Sequence, residues 1–335
     1  MSIHSDIHEY CAGTATGPRY LVTPSTFYTT IGDKLHVSGP KGTVKLLENT
    51  PDAILEGLLN SGSLIPGSES DIDEVVSLLK KPETSRTASY LLCSATCCRD
   101  VIQDFKALCK ARVLIVGCGG VGSTATMLLA GSGIRYFKII DADIIEKSNL
   151  NRQLFWRSND IGKYKTDVLA TALKERFKDV SVEIKREYLS TSEIGECVTA
   201  GFDGVIVTAD NPPTLARDCE ELSRTHKTPI ASGGYLHNIC IANFFSGEHP
   251  AIETKNTSFP INAKNWQRLP NSVMPSFGPS NFLLASILSS SIISAIAKQS
   301  LRNVDQSIIN WNANELPTVF HTHKIWPPQD EMHIL

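Results

Sequence analysis

The chain contains no CxxC motif, although it has nine cysteines among its 335 residues. Small structural zinc sites are usually built from two such pairs, so a site of that kind is not expected. The N-terminus shows no basic segment followed by an apolar run, so we expect no secretory signal. The cysteine count is also odd, so the cysteines cannot all pair with one another. These features predict free thiols in a reducing cytoplasm rather than a disulfide framework.

An excess of charge of one sign is also lacking. The chain has 32 Lys+Arg and 35 Asp+Glu, a formal net charge of −3, which gives no overall attraction to nucleic acid or to an anionic membrane. The longest apolar stretch, residues 281–297, contains a serine cluster and is short for a membrane span. It predicts a buried helix of a soluble protein, and we expect neither nucleic-acid nor membrane partners.

Residues 1–85 differ in pattern from the remainder. Short β-like runs (YLVTP, FYTTI, KLHVSG) precede two helical segments, 50–62 and 70–82, which stop at Gly and Pro. The pattern predicts a small winged-helix-like domain over 1–85, and 83–89 (ETSRTAS) is expected to be a linker. Six Lys+Arg against eleven Asp+Glu give this domain a balance of −5, which is the wrong sign for binding a phosphate backbone.

From about residue 100 the pattern alternates between strands and helices. Buried-strand runs such as RVLIVG, YFKIID and GVIVTAD are separated by helical segments such as KTDVLATALKERF. Such alternation is typical of an α/β fold with a mainly parallel, Rossmann-like sheet and helices on both faces. We assign this second domain to residues 86–335.

A glycine-rich turn joins the first strand of this domain to a helix. The run VLIVGCGGVGS places Gly117, Gly119, Gly120 and Gly122 where backbone N–H groups and a helix N-terminus can receive a phosphate. Asp141 ends the next strand, where a carboxylate can accept hydrogen bonds from ribose hydroxyls. On these features alone a nicotinamide or flavin enzyme is one interpretation, and a turn that only allows close packing is another.

A second cluster of polar residues follows. In SNLNRQ, Asn149 and Asn151 can hydrogen-bond a phosphate or nucleoside, while Arg152 and Lys165 supply two cations. Alone, each cation could be a solvated surface group. Together they suit a triphosphate more than a dinucleotide, because the attacked phosphate needs its charge neutralised. Asp210, in VTADNPP, follows a predicted parallel strand and can hold Mg²⁺ against ATP.

Several motifs taken together resemble the adenylating domain of the ubiquitin-activating (E1-like) superfamily, which includes the ThiF and MoeB sulfur-carrier activators. They are GCGGVG, DADIIEKSNLNRQLF, DIGKYKT, TADN and MPSFGPSNFLLASILSSSIISAIA, spread over residues 113 to about 298. The resemblance implies binding of ATP–Mg²⁺ and adenylation of a carboxylate. It places Asp141 at the ribose, Arg152 and Lys165 at the phosphates and the acyl-phosphate transition state, and Asp210 at magnesium.

The same resemblance implies further nucleotide contacts by Asp143 and Gln153. It also implies a homodimer in which an arginine before the first strand reaches the partner's ATP, and Arg86 is the nearest match here.

Two departures from the superfamily pattern narrow the prediction. No cysteine follows Cys240, so the structural zinc of many members is not expected. There is also no insert large enough for a catalytic-cysteine domain. Cys197 and Cys219 lie on predicted helices and are expected to be packing residues.

A small N-terminal domain fused to an E1-like domain resembles the microcin C7-type and pantocin-type enzymes, which modify ribosomally made precursor peptides. The runs LVTPST, LIPGSE, TSRTASYL and SGGYLHN extend that resemblance. It implies that the small domain, a peptide clamp or RiPP recognition element, binds the leader of the precursor peptide. The missing zinc cysteines favour the pantocin type, in which a Glu side chain is activated and captured intramolecularly to give a cyclised, dehydrated peptide.

Other functions remain open from the sequence. One is microcin C7-type adenylylation of the peptide C-terminus, and another is ThiF- or MoeB-like activation of a sulfur-carrier protein. A third is a nucleotide- or NAD-binding regulator with no chemistry. The small domain could also serve only in dimerisation or packing.

Overall fold

The computed structural model describes residues 7–8, 11–12, 19–48, 50–209, 215–248, 275–302 and 305–315. They form two compact units. The first takes the described residues up to Ala107 together with Ala297–Arg302, and the second takes those of Leu108–Ile296 and 305–315. The predicted domain boundary between residues 85 and 86 remains a prediction.

The first unit contains two small antiparallel sheets. Their strands are β1 Ile7–His8, β2 Cys11–Ala12, β3 Tyr20–Val22, β4 Phe27–Ile31, β5 Lys34–Gly39, β6 Gly42–Lys45 and β7 Leu64–Pro66. One sheet has the order β1-β2-β3-β7 and the other the order β4-β5-β6. Alternating side chains of β5, Leu35 and Val37, are buried with Leu46, Leu58 and Leu64 in one apolar cluster.

Four helices begin in this unit: α1 Pro51–Asn60, α2 Glu69–Lys80, α3 Pro82–Leu92 and α4 Cys98–Lys110. Side chains of Thr50 and Ser68 cap the first two, accepting backbone N–H groups three residues on. The prediction of a linker over 83–89 was wrong, because these residues lie within α3. Pro82 occupies the start of that helix, where a missing N–H breaks no hydrogen bond, so it marks a helix start as well as a stop. The winged-helix-like assignment remains a prediction.

The second unit is built on a seven-stranded sheet. Its strands are β8 Arg112–Val116, β9 Tyr136–Ile140, β10 Ser181–Lys185, β11 Gly204–Val207, β12 Ile230–Leu236, β13 Ile239–Phe245 and β14 Gln306–Asn312. The order is β10-β9-β8-β11-β12-β13-β14, parallel from β10 to β12 and antiparallel beyond. The predicted α/β fold with a mainly parallel sheet is confirmed.

Helices cover both faces of this sheet, as predicted. They are α5 Gly120–Gly131, α6 Lys165–Arg176, α7 Thr191–Thr199, α8 Leu215–His226 and α9 Gly278–Ile296. α9 packs on the face of Gly204, where the missing side chain leaves room for Ile292. Val205 and Val207 point to the opposite face and pack with residues of α7 and α8, including the buried Cys219.

By length and composition, α9 is the one helix among the described residues that could cross a membrane. Its side chains Leu284, Leu288 and Ile292 are fully buried, and 44% of its most apolar 18-residue window is buried. The buried stripe faces the sheet of the same unit, since a Cβ at Gly233 would touch Leu284 and Leu288.

Candidate active site

The order of the strands creates a crevice at one edge of the large sheet. From β8 the chain passes through α5 to β9 and then β10 on one side, and it returns to β11 on the other side of β8. The carboxyl ends of β8, β9 and β11 therefore meet where the chain changes direction. Ligands of open α/β sheets bind in a crevice of this kind.

The predicted glycine turn leaves β8 at this crevice. Gly117 has a φ of +95°, and a Cβ there would lie 2.7 Å from the backbone nitrogen of Ala209. A Cβ at Gly122 would collide with the carbonyl oxygen of Gly117, so α5 can approach the turn only with glycine at this position. Gly119 caps α5 without a side-chain hydrogen bond, which leaves the first N–H groups of the helix available for an anion.

Asp141 joins the ends of two strands. Its Oδ2 accepts the N–H of Cys118, in the glycine turn, at 2.5 Å, and its Oδ1 accepts the N–H of Asp143 at 2.7 Å. Burial raises the pKa of Asp141, although the charge of Lys165 and these two N–H groups oppose the rise. A carboxylate has about four acceptor positions, so a ribose hydroxyl could still donate to it.

Asp143 forms an ion pair with Lys165, the first residue of α6. The Nζ of Lys165 donates to Oδ2 of Asp143 at 2.7 Å, and the lysine side chain is only 8% exposed. Tyr188 donates its hydroxyl to the other oxygen, Oδ1, at 2.7 Å. Burial acts to raise the pKa of Asp143, but the hydrogen bonds from Lys165 and Tyr188 outweigh it and hold the pKa of that carboxyl below its usual value.

The predicted polar cluster lies on a loop that is largely held by its own hydrogen bonds. Asn149 is buried, and its Oδ1 accepts the N–H of Glu146 at 3.1 Å. Asn151 is exposed and accepts from Nη1 of Arg152 at 3.0 Å. The same Nη1 donates to the carbonyl of Ser148 at 2.6 Å, so the guanidinium is directed back onto its own loop.

This loop contacts both the glycine turn and the start of α9. Gln153 is buried, accepts the indole N–H of Trp156 at 2.6 Å, and has its Nε2 3.9 Å from the position of a Cβ at Gly119. A Cβ at Gly278 would lie 3.8 Å from Cα of Arg152. The structure thus brings together the predicted glycines, both aspartates, Lys165 and the loop that carries the asparagines, Arg152 and Gln153.

Two functional candidates were missed from the sequence. Tyr188 follows the end of β10, and no local pattern shows that it reaches Asp143. Asn281 on α9 is 1% exposed and lies against Gly120, and neither its Oδ1 nor its Nδ2 has a hydrogen-bond partner in the described part of the chain. Both contacts join residues far apart in sequence, so no motif spacing could have found them.

Two predicted site residues remain, Asp210 and Arg86. Asp210 follows Ala209 in the chain and lies outside the described residues. Arg86 belongs to α3 of the first unit, where its side chain is exposed.

Cys197 and Cys219 lie on α7 and α8 and pack in the core, as predicted. Burial raises the pKa of Cys219 to about 12 and that of Cys118 well above its usual value, so neither is suited to act as a thiolate. Among the described residues no group of three or more His, Cys, Asp or Glu could hold a metal ion.

The fold is similar to the solved structures of two proteins, MccB and PaaA. One is E. coli MccB, with a TM-score of 0.69 and 20% identity over 88% of this chain and 91% of that one. MccB determined with ATP gives a TM-score of 0.63 at 21% identity, covering 88% of this chain and 96% of the other. The second protein, PaaA, gives 0.57 at 17% identity, covering 85% and 95%. The predicted likeness to the microcin C7-type and pantocin-type enzymes is therefore confirmed for the fold.

Curated relatives match a shorter region. An adenylyltransferase and sulfurtransferase uba4 of Aspergillus niger is 38% identical over 113 residues, which are 34% of this chain and 23% of the relative. The SAMP-activating enzyme E1 of Haloferax volcanii is 37% identical over 32% and 39% of the two chains. A tRNA threonylcarbamoyladenosine dehydratase of Haemophilus influenzae is 35% identical over 37% and 48%. The chain thus covers less than half the length of each of these relatives.

The family model described as the ThiF family matches residues 98–332, which include the glycine turn, both aspartates and Lys165. This match covers more than half of the chain and confirms the predicted E1-like assignment. The chain belongs to the ThiF family.

Proposed function

We propose that this chain is an ATP-dependent enzyme that adenylates a carboxylate of a ribosomally made precursor peptide. The observation that carries the proposal is the buried Lys165 ammonium, held by Asp143 in the crevice that also contains the glycine turn. A buried cation beside free helix N–H groups suits a polyphosphate whose negative charge increases as its α-phosphate is attacked.

The crevice residues have distinct parts in this proposal. The N–H groups of Gly119, Gly120 and Gly122 would receive phosphate oxygens, and Asp141 would accept the ribose hydroxyls. Arg152 would turn from its own loop toward the phosphates, because its present partners are a neutral carbonyl and a neutral amide.

The asparagines and glutamine of the loop differ in what they can offer. The amide oxygen of Asn149 is already used inside the loop, so this residue would mainly preserve the shape of the loop. Asn151 is exposed and Gln153 has its Nε2 beside the glycine turn, so both can contact the nucleotide directly.

A magnesium ion is proposed to accompany ATP. The donor chemistry fits, since Asp141 supplies a carboxylate at the crevice and Asp210 follows Ala209, whose nitrogen lies against Gly117. Asp210 is proposed to hold the ion, which would neutralise phosphate charge during the transfer.

The proposed substrate is a peptide with a leader, bound by the region 1–85. Support comes from the small β-rich elements of this region and its balance of −5, which suits a neutral or basic leader. The shared fold with MccB, which has been determined in complex with N-formylated MccA, extends over 88% of this chain.

An activated carboxylate needs a nucleophile. ATP and the carboxylate form an acyl-adenylate and pyrophosphate, and a nucleophile then expels AMP. Among the described thiols in the cores of the second unit, Cys118 and Cys219 are too deeply buried to take that part. We propose that the peptide supplies both groups, a Glu side chain as the activated carboxylate and a nucleophile that captures it at high effective concentration.

A second candidate function is activation of a ubiquitin-like sulfur carrier. The similarity to uba4 and to the SAMP-activating enzyme, at 38% and 37% identity over 34% and 32% of this chain, favours it. A homodimer with Arg86 reaching the partner's ATP is proposed for either function.

Isotope exchange between pyrophosphate and ATP tests adenylation directly. We expect exchange that depends on a short peptide encoded beside the gene, and no stimulation by a ubiquitin-like protein that ends in Gly-Gly. Intact-mass spectrometry then identifies the product. Cyclisation lowers the peptide mass by one water, about 18 Da per closure, whereas a gain of nucleotide mass on the peptide would contradict the cyclisation proposal.

A further inference from the structure

The segment that follows β10 contacts the surroundings of Lys165 through two side chains. β10 ends at Lys185, whose carbonyl accepts the N–H of Asp141 at 3.1 Å, so the segment starts beside the end of β9. Arg186 then reaches the first turn of α6, and Tyr188 reaches Asp143. Neither residue belongs to the site that the sequence motifs predict.

Arg186 fixes the helical turn that carries Lys165. Its Nε and Nη2 donate to Oδ1 of Asp167 at 3.1 and 2.9 Å, and Nη2 also donates to Oδ2 at 2.9 Å. The guanidinium carbon lies 4.9 Å from the ring centroid of Tyr164. Tyr164 caps α6 and Asp167 lies in its first turn, so one arginine binds residues on both sides of Lys165.

Tyr188 fixes the carboxylate that Lys165 contacts. Its hydroxyl donates to Oδ1 of Asp143, which leaves Oδ2 facing Nζ of Lys165. The Asp143 side chain is 46% exposed, so water could otherwise compete for its oxygens and allow the carboxylate to rotate. The Lys165 side chain is buried, and its Nζ contacts the oxygen that the tyrosine hydroxyl leaves free.

We propose that Tyr188 is a positioning residue for the Lys165 ammonium, acting through Asp143. The effect of this positioning on ATP use rests on the function proposed above. The position of the ammonium itself does not depend on that function. With the carboxylate fixed, Lys165 stays at one place beside the glycine turn, and an arriving phosphate meets a cation that is already oriented. Without the tyrosine hydroxyl, the ammonium is spread over several positions.

Chemical labelling without nucleotide tests the position itself. The full-length protein is treated with trace acetic anhydride, and mass spectrometry gives the labelling of Lys165 relative to Lys163, an exposed neighbour. Loss of one hydrogen bond should raise this ratio about threefold to tenfold in Tyr188→Phe. Tyr136→Phe, at the exposed start of β9, is the matched control and should leave the ratio unchanged.

A double mutant shows whether Tyr188 acts through Asp143. Asp143→Asn should raise the labelling ratio by itself, and adding Tyr188→Phe should then change it no further. An additive effect, or labelling of Tyr188→Phe equal to that of the wild type, would overturn the proposal.

Pyrophosphate exchange links the position to the proposed reaction. Tyr188→Phe should raise KM for ATP about threefold to tenfold, while Tyr136→Phe matches the wild type. If the labelling ratios change as expected and the wild type shows no exchange at all, the proposed function fails while the positioning stands. An unchanged KM in an active Tyr188→Phe enzyme would overturn the part of the proposal that concerns ATP.

Discussion

The ammonium of Lys165 and the carboxylate of Asp143 form a 2.7 Å ion pair in which the lysine is buried and the aspartate is half exposed. Such a pair places a cation inside the crevice while one side of the pair stays open to solvent. Because breaking it leaves one charge poorly compensated, both partners are suited to mutational tests.

Replacing Lys165 with Ala should reduce pyrophosphate exchange by about 10²- to 10³-fold, because the ammonium would stabilise charge that develops on the phosphates. Lys163→Ala is the matched control: that lysine is two residues away, exposed and paired with Asp160. The control should exchange at the wild-type rate. Comparable activity of the two variants would mean that the adenylation site lies elsewhere.

The two glycines at the ends of the α5 region should respond differently to substitution. In Gly122→Ala the new Cβ meets the carbonyl of Gly117, which is backbone and cannot swing away, so we expect a loss of more than about 2 kcal/mol in the free energy of unfolding. A Cβ at Gly131, at the end of the same helix, has nothing within 4 Å. Gly131→Ala should be neutral or stabilising by up to about 1 kcal/mol. Urea denaturation of both variants measures the difference, and equal free energies would contradict this account of the turn.

The glycine turn also shows what the sequence can and cannot predict. Local patterns place the glycine turn after one predicted strand and Asp141 at the end of the next, so both are expected at one edge of the sheet. β14 was missed, because only Trp311 among its side chains is buried and its strand pattern is weak. α3 was missed as well, since Pro82 could be interpreted either as the end of one helix or as the start of the next. The contacts of Tyr188 and Asn281 depend on the packing of elements that are far apart in the sequence. A local sequence pattern contains no information about that packing.

Asn281 offers a test of an unsatisfied polar group. Because both polar atoms of its amide are buried without partners among the described residues, Asn281→Ala should leave the free energy of unfolding unchanged or raise it by up to about 2 kcal/mol. Asn149→Ala is the comparison, since that amide accepts the N–H of Glu146 at a helical turn and its loss should cost about 1 kcal/mol. Urea denaturation of the two variants provides the measurement. A large loss in Asn281→Ala would show that the amide is satisfied in solution.

Asp143 should make stability depend on pH in a defined direction. Its folded-state pKa is held below the usual value, so it contributes stability above the unfolded pKa of about 3.8, and this contribution disappears as the pH falls through the folded pKa. Asp143→Asn lacks this contribution. The difference in unfolding free energy between wild type and variant should therefore be largest near pH 6 and shrink toward pH 3. A difference that is constant over this range would mean that the carboxyl has the same pKa in the folded and unfolded states.

The proposed homodimer makes a prediction about Arg86. This exposed arginine lies on α3 of the first unit, and its proposed role is to reach the nucleotide bound by the partner subunit. Arg86→Ala and Lys165→Ala should each be inactive alone. In a mixed population, however, a hybrid dimer contains one site with an intact Lys165 and an intact Arg86 donated by its partner. If subunits assort freely, half of the molecules in an equimolar mixture are such hybrids, and roughly a quarter of the wild-type exchange activity should return.

Mixing Lys165→Ala with Lys165→Ala,Arg86→Ala subunits is the matched control and should restore nothing, because neither chain supplies the lysine. Absence of recovery at every ratio of the first pair would show that each site is complete within one chain.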